Sequence, residues 1–187
     1  MELKPFISSA EIDGIVSRLA AELNSDFKGR RPILVGVLKG SFLFLSDLAR
    51  KLDIEHEVDF IQTSCYGLRD IPSDEVLILR DITADIRGRD VIIVEDIVDR
   101  GHTGRALRKY FANKGAAAIK ICTLLRRDGG CPDLKVDYTG ATIDKGFVVG
   151  YGMDYAEKYR ELDAVYELVP DQEEEPPPYS SNREKHL

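Results

Sequence analysis

DVIIVEDIVDRGHT, residues 90–103, sets a short β-branched run directly against three carboxylates, a glycine and a threonine. Asp90 to Val94 is too short and too uniformly apolar for an amphipathic helix, and it reads as a strand buried on both faces at the centre of a sheet. Beyond it Ala106, Leu107, Tyr110 and Phe111 recur at helical spacing until Gly115 supplies a stop. AIKICTLL, from Ala118, follows as a second strand. Strand, helix and strand make a βαβ unit, and such units build parallel sheets with helices on both sides.

The same alternation extends outward. Ser8 and Glu11 have the spacing of a capping box, and Ile12, Ile15, Val16, Leu19 and Leu23 predict an amphipathic helix behind it. Pro32 opens the strand ILVGVL, Lys39-Gly40-Ser41 turns the chain, and Phe42, Leu45, Leu48, Ala49 and Leu52 follow a helical period. Strands are predicted from Glu57 to Cys65 and at VLIL from Val76, on either side of a polar loop, expected to be mobile, from Ser64 to Asp74. Further strands are predicted at KVDYT (135–139), GFVVGY (146–151) and AVYELV (164–169), with a helical turn in DYAEKYREL (154–162). The expected fold class is α/β, a mostly parallel central sheet with helices on both faces. After Val169 the sequence PDQEEEPPPYSSNREKHL is poor in apolar residues, so the chain divides into a domain, 1–169, and a tail, 170–187, predicted to be disordered. Pro176 to Tyr179 match a PPxY ligand, a pattern too short to assign a function.

Composition narrows the function. A chain of 187 residues fits one domain plus an appendage, and a net charge of −7 offers no basic surface for nucleic acid or anionic membrane. No apolar run approaches the roughly 20 residues needed to span a bilayer, and the N-terminus shows no basic-then-apolar leader, so a cytoplasmic protein is expected. Cys65, Cys122 and Cys131 are too few and scattered for a disulfide framework or a zinc site.

Ligands of parallel α/β sheets bind at the carboxyl ends of strands, which directs attention to residues 95–103. Carboxylates at 95, 96 and 99 repel one another and resist burial without cations or hydroxyl donors. Glu95 and Asp96 suit either vicinal sugar hydroxyls or a hydrated Mg²⁺. Gly101 and Thr103 open a helix whose N–H groups converge as a phosphate cradle, although acids beside a helix start can also serve only as caps. Neither a GxGxxG turn after a strand nor a P-loop is present.

VIIVEDIVDRGHT resembles the phosphoribosyl pyrophosphate (PRPP) signature of type I phosphoribosyltransferases. LVGVLKGSFLFLSDL, SCYG and FVVGYGMDYAEKYREL, in the same order, resemble the hypoxanthine-guanine (6-oxopurine) branch. The resemblance covers roughly residues 5–170. It implies the type I fold with a small hood formed by the terminal segments. It also implies transfer of phosphoribosyl from PRPP to a 6-oxopurine in purine salvage, with Mg²⁺ as cofactor.

In the roles it implies, Asp99 is the general base. Glu95 and Asp96 bind the ribose hydroxyls, and Gly101, His102 and Thr103 hold the 5′-phosphate with Arg100 beside them. Lys39 and Gly40 form the pyrophosphate loop, with a cis peptide before Lys39, and Arg160 contacts pyrophosphate. Phe147 stacks on the purine, the Val148 backbone reads its edge, and Arg127 donates to the 6-oxo group. Asp154 joins Glu95 and Asp96 as a metal ligand, and Cys65 and Tyr66 lie on the mobile loop. Read without the resemblance, Phe147 could be core, and Asp154 and Arg160 a surface ion pair.

Three positions depart from the family pattern: Arg100 stands for threonine, Cys65 for serine and Arg127 for lysine. ATIDKG replaces the usual aromatic and proline before Phe147. A homo-oligomer, dimer or tetramer, is expected from the resemblance, with no nucleic-acid or membrane partner. Two alternatives stay open, a PRPP-sensing regulator of the same fold and a sister transferase preferring xanthine.

Overall fold

The computed structural model describes residues 1–65 and 76–169. The tail and most of the expected mobile loop, including Tyr66, lie outside the described residues, as does the side chain of Cys65. The main sheet has six strands in the order β4-β3-β2-β5-β6-β7. β2 (Ile33–Leu38), β3 (Glu57–Cys65), β5 (Asp90–Val98), β6 (Ala118–Arg127) and β7 (Tyr138–Ile143) are parallel. The edge strand β4 (Val76–Arg80) runs antiparallel to β3.

Strand side chains alternate between faces, and β5 uses both. Ile92 and Val94 pack with helices α1 (Ser9–Asp26) and α2 (Phe42–Lys51), whereas Val91 and Ile93 pack with α3 (His102–Asn113). All four are fully buried, and each such aliphatic side chain contributes about 1.5–3 kcal/mol by leaving water. The capping box of α1 is formed: Ser8 Oγ accepts from the Glu11 N–H at 3.3 Å and Glu11 Oε2 accepts from the Ser8 N–H at 2.8 Å. Gly36 in β2 leaves room for its neighbours, because a Cβ there would meet Leu45 Cδ2 at 2.6 Å.

A second sheet, antiparallel and ordered β1-β9-β8, forms the hood from β1 (Glu2–Ile7), β8 (Val148–Val149) and β9 (Val165–Val169). β1 has no apolar alternation to announce it. It is an edge strand carrying Pro5 opposite Tyr166, with a register irregularity between Pro5 and Ile7, and edges are where proline is tolerated.

Three expectations need correction. The strand expected over 135–139 begins only at Tyr138, because Asp137 is diverted to bind Arg108, Lys120 and the Ile121 N–H. The strand expected over 146–151 shortens to Val148–Val149, between Gly146 at φ 93° and Gly150 at φ 94°. The helical turn expected in 154–162 is absent: Ala156, Glu157 and Tyr159 take left-handed backbone at φ 51°, 62° and 76°, and an isolated bridge joins Tyr155 to Lys158. β5 is also longer than its apolar run, pairing with β6 as far as Val98 opposite Arg126.

Candidate functional site

The extra length of β5 decides how its acids are presented. Glu95 and Asp96 are strand residues, so they face opposite sides of the sheet. Glu95 follows Val91 and Ile93 toward α3, where its Oε1 would lie 3.3 Å from a Cβ placed on Gly104 in the first turn of that helix. It is 6% exposed, and Oε1 has no hydrogen-bond partner among the described residues. Burial, reinforced by the neighbouring Asp96 charge, pushes its carboxyl up to about 8.

Asp96 faces the other way and meets the turn after β2. The Leu38–Lys39 peptide is cis, and a Cβ on Gly40 would sit 1.8 Å from Asp96 Oδ2, so only glycine allows this approach. Burial raises the Asp96 carboxyl to about 6, with Asp154 adding to the rise. The N–H groups of Ile97 and Asp96 and the Arg160 charge oppose it. Gly152, at φ 98°, closes the stack from the hood side, since a Cβ there would lie 2.0 Å from the Gly40 carbonyl oxygen.

A hollow of about 210 Å³ opens beside this stack, lined by Asp96, Ile97, Asp99, Arg127, Phe147, Val148, Met153 and Asp154. Five elements reach it: the end of β5, the end of β6, β8, and the turns on either side of β8. Arg127 Nε lies 3.0 Å from Asp99 Oδ1, and its Nη1 and Nη2 donate to the carbonyls of Asp144 and Gly146 at 3.3 and 3.1 Å. The guanidinium therefore spans the 144–146 segment and points one edge at Asp99. Phe147 is braced edge-on by Tyr155, with ring centroids 5.7 Å apart.

Lys39 and Arg160 adjoin the hollow through its acidic rim. Arg160 Nη2 lies 2.5 Å from Asp154 Oδ1 and 3.4 Å from Glu157 Oε2, and Lys39 Nζ lies 2.9 Å from the same Glu157 oxygen. Arg160 also donates to the Gly152 carbonyl at 2.8 Å, while its buried Nε has no acceptor among the described residues. Gly101, at φ 71°, opens α3, and a Cβ there would meet Cys131 Cβ and Leu134 Cδ2 at 2.9 Å. His102 and Thr103 are the first residues of that helix, and the Arg100 carbonyl accepts from Arg105 at 2.7 Å.

Thus Asp96, Asp99, Arg127, Phe147, Val148 and Asp154 share one hollow, and Gly40, Lys39 and Arg160 connect to it. Glu95 and the segment 100–103 are not among its lining residues. Sequence reading missed Ile97, Met153, the Tyr155 brace and Glu157. All four lie inside the motifs quoted above, but nothing in spacing or residue type set them apart from their neighbours. Among the described residues no three His, Cys, Asp or Glu side chains could by themselves hold a metal ion, and no helix is long and apolar enough to cross a membrane. A larger hollow of about 360 Å³ lies by α1 and α2, lined by Asp13, Asp47, Tyr151 and their neighbours. It is away from the strand ends, and Asp13 and Asp47 there are already bound by Lys51 and by the Tyr151 hydroxyl.

Residues 8–156 match the phosphoribosyl transferase domain model. The chain is 42% identical over 168 residues to the hypoxanthine-guanine phosphoribosyltransferase of Bacillus subtilis, covering 89% of this chain and 93% of that protein. It is 40% identical over 169 residues to the hypoxanthine phosphoribosyltransferase of Escherichia coli, covering 87% and 93%. A crystal structure of a hypoxanthine-guanine phosphoribosyltransferase from Bacillus anthracis superposes with a TM-score of 0.86 at 39% identity, over 90% of this chain and all of that one.

Proposed function

This chain belongs to the phosphoribosyl transferase family, and from that premise we propose that it transfers the phosphoribosyl group of PRPP to N9 of hypoxanthine or guanine, releasing pyrophosphate. The observation that carries the reading is the closure of the Gly40 turn on Asp96, beside a hollow walled by Asp99, Arg127 and Phe147. A diphosphate chain and a flat base fit the two sides of that arrangement.

The base lies against Phe147, with its 6-oxo group toward Arg127 and its edge toward the Val148 backbone. Asp99 accepts the purine proton as N9 attacks C1′. A general base in this position contributes about 10²- to 10⁴-fold. Gly101, His102 and Thr103, at the positive end of α3, take the 5′-phosphate, with Arg100 as a second cation. Asp96, the one of the two strand-end acids that lines the hollow, takes a ribose hydroxyl. Lys39 and Arg160 meet the negative charge that grows on the departing pyrophosphate. The loop carrying Cys65 and Tyr66 excludes water.

Asp96 and Asp154, which share the hollow, are hard oxygen donors of the kind Mg²⁺ accepts alongside substrate oxygens, whereas Glu95 faces α3 on the other side of the sheet. An ion held by these two carboxylates would supply positive charge opposite the diphosphate. We take the enzyme to work as a homo-oligomer in the cytoplasm.

The test is pyrophosphate release from PRPP and Mg²⁺ with hypoxanthine, guanine, xanthine, adenine, uracil and orotate. Turnover with hypoxanthine or guanine is expected. Preference for xanthine would shift the assignment to a sister transferase, and PRPP binding without turnover would replace it with a regulator.

A further inference from the structure

Two cations assigned to the diphosphate, Lys39 and Arg160, come from distant parts of the chain, yet one carboxylate oxygen holds both. Glu157 Oε2 lies 2.9 Å from Lys39 Nζ and 3.4 Å from Arg160 Nη2. The backbone is shaped for this contact. Glu157 takes φ 62°, directly after Ala156 at φ 51°, and its N–H donates to Asp154 Oδ2 at 2.8 Å. A left-handed pair of non-glycine residues is disfavoured, and here it turns the Glu157 carboxylate back over the Gly40 side of the site. One oxygen shared by a lysine and an arginine has the pattern of an anionic phosphoryl oxygen held by the same two groups.

We propose that Glu157 is a positioning residue that stands in for the diphosphate before substrate arrives. Its carboxylate keeps Lys39 and Arg160 gathered at one point, gives way when the diphosphate of PRPP enters, and re-pairs with them as pyrophosphate leaves. The inference rests on the transferase reading above. Incoming diphosphate must displace an internal competitor, and outgoing pyrophosphate is helped off by one. Because Lys39 and Glu157 are each about half exposed, the competition is modest, worth a few-fold in affinity.

The experiment is calorimetric titration of the full chain with inorganic pyrophosphate in Mg²⁺, together with KM values for PRPP and for the base. Glu157→Gln and Glu157→Asn, the second suited to left-handed backbone, should each bind pyrophosphate about 3- to 10-fold more tightly. They should lower KM for PRPP and leave KM for the base unchanged. Glu161→Gln removes the same charge from the same segment outside the contact, and it should behave as the unmodified protein. Unchanged or weaker pyrophosphate binding in the two Glu157 variants would overturn the inference, as would equal tightening by Glu161→Gln. If the unmodified protein bound neither pyrophosphate nor PRPP, the transferase reading itself would fall, and this inference with it.

Discussion

Two acidic segments border the same hollow and are treated in opposite ways. At the end of β5, Glu95 is 6% exposed with an oxygen that has no partner among the described residues, and burial holds both it and Asp96 above the usual carboxylate range. In the turn after β8, Asp154 and Glu157 are more exposed and already bound to Arg160 and Lys39. The first pair is incomplete until something brings hydroxyls or positive charge. The second is complete by itself and must be opened. Waiting acids lie on the rigid strand, and self-satisfied ones lie on a turn held in left-handed backbone.

Asp99 belongs to the first segment but is paired with Arg127, so it tests whether position or pairing decides function. Asp99→Asn should keep the fold and PRPP binding while kcat falls about 10²- to 10⁴-fold; near-normal turnover in steady-state assays would remove Asp99 from its role. Arg127→Met leaves the Asp99 carboxylate without that cation and the base without a donor. KM for the base should rise about tenfold, with KM for PRPP little changed. If both KM values moved equally, Arg127 would belong to the shared frame rather than to base recognition.

A third test separates the two segments by pH. The folded protein holds the Glu95 proton more tightly than the unfolded chain does, about 8 against an ordinary 4.5. The stability Glu95 contributes is therefore fully present below about pH 4.5 and is lost as pH rises through about 8, at roughly 1 kcal/mol per pH unit across that window. Urea denaturation without metal or substrate, from pH 5 to 9, should show this decline, and Glu95→Gln should flatten the part above about pH 6, below which the raised Asp96 carboxyl adds a decline of its own. A variant as pH-dependent as the parent would mean that the loss arises elsewhere. The smallest effect belongs to the turn: Lys39→Met should alter the unfolding free energy by no more than about 1 kcal/mol, as expected for an exposed pair, while weakening pyrophosphate binding measured by calorimetry.

The βαβ heart of the molecule was readable because its signals are local. A buried strand needs apolar residues on both faces, α3 shows its period, and Gly101 marks the bend between them. The capping box of α1 was readable for the same reason. What escaped depended on distant partners. β1 is a strand only because β9 supplies its hydrogen bonds. The 154–162 segment, with alanine, glutamate and lysine among its residues, looks helical until the Gly40–Gly152 contact and the bonds of Gly152 to Arg160 fold it otherwise. Glu95 and Asp96 looked like neighbours on one loop, whereas the persistence of β5 sends them to opposite faces. The sequence offered Asp99, Arg127 and Lys39 as separate candidates, but the pairings of Arg127 with Asp99 and of Glu157 with Lys39 join positions 28 and 118 apart and left no trace in spacing.

The stacking of Gly40 on Asp96 and of Gly152 on Gly40 bears on how this scaffold could diversify. Both contacts require glycine, because a methyl group on Gly40 would overlap the Asp96 carboxylate oxygen at 1.8 Å and one on Gly152 the Gly40 carbonyl oxygen at 2.0 Å, so neither glycine can be replaced without shifting the backbone or that carboxylate. Across the hollow, Arg127 and the 144–146 segment meet largely through side-chain donors to carbonyls, contacts that substitution can rewrite one at a time. Selection for a different acceptor base would therefore find its variants at the Arg127 side, while the diphosphate side passes unaltered from one specificity to the next.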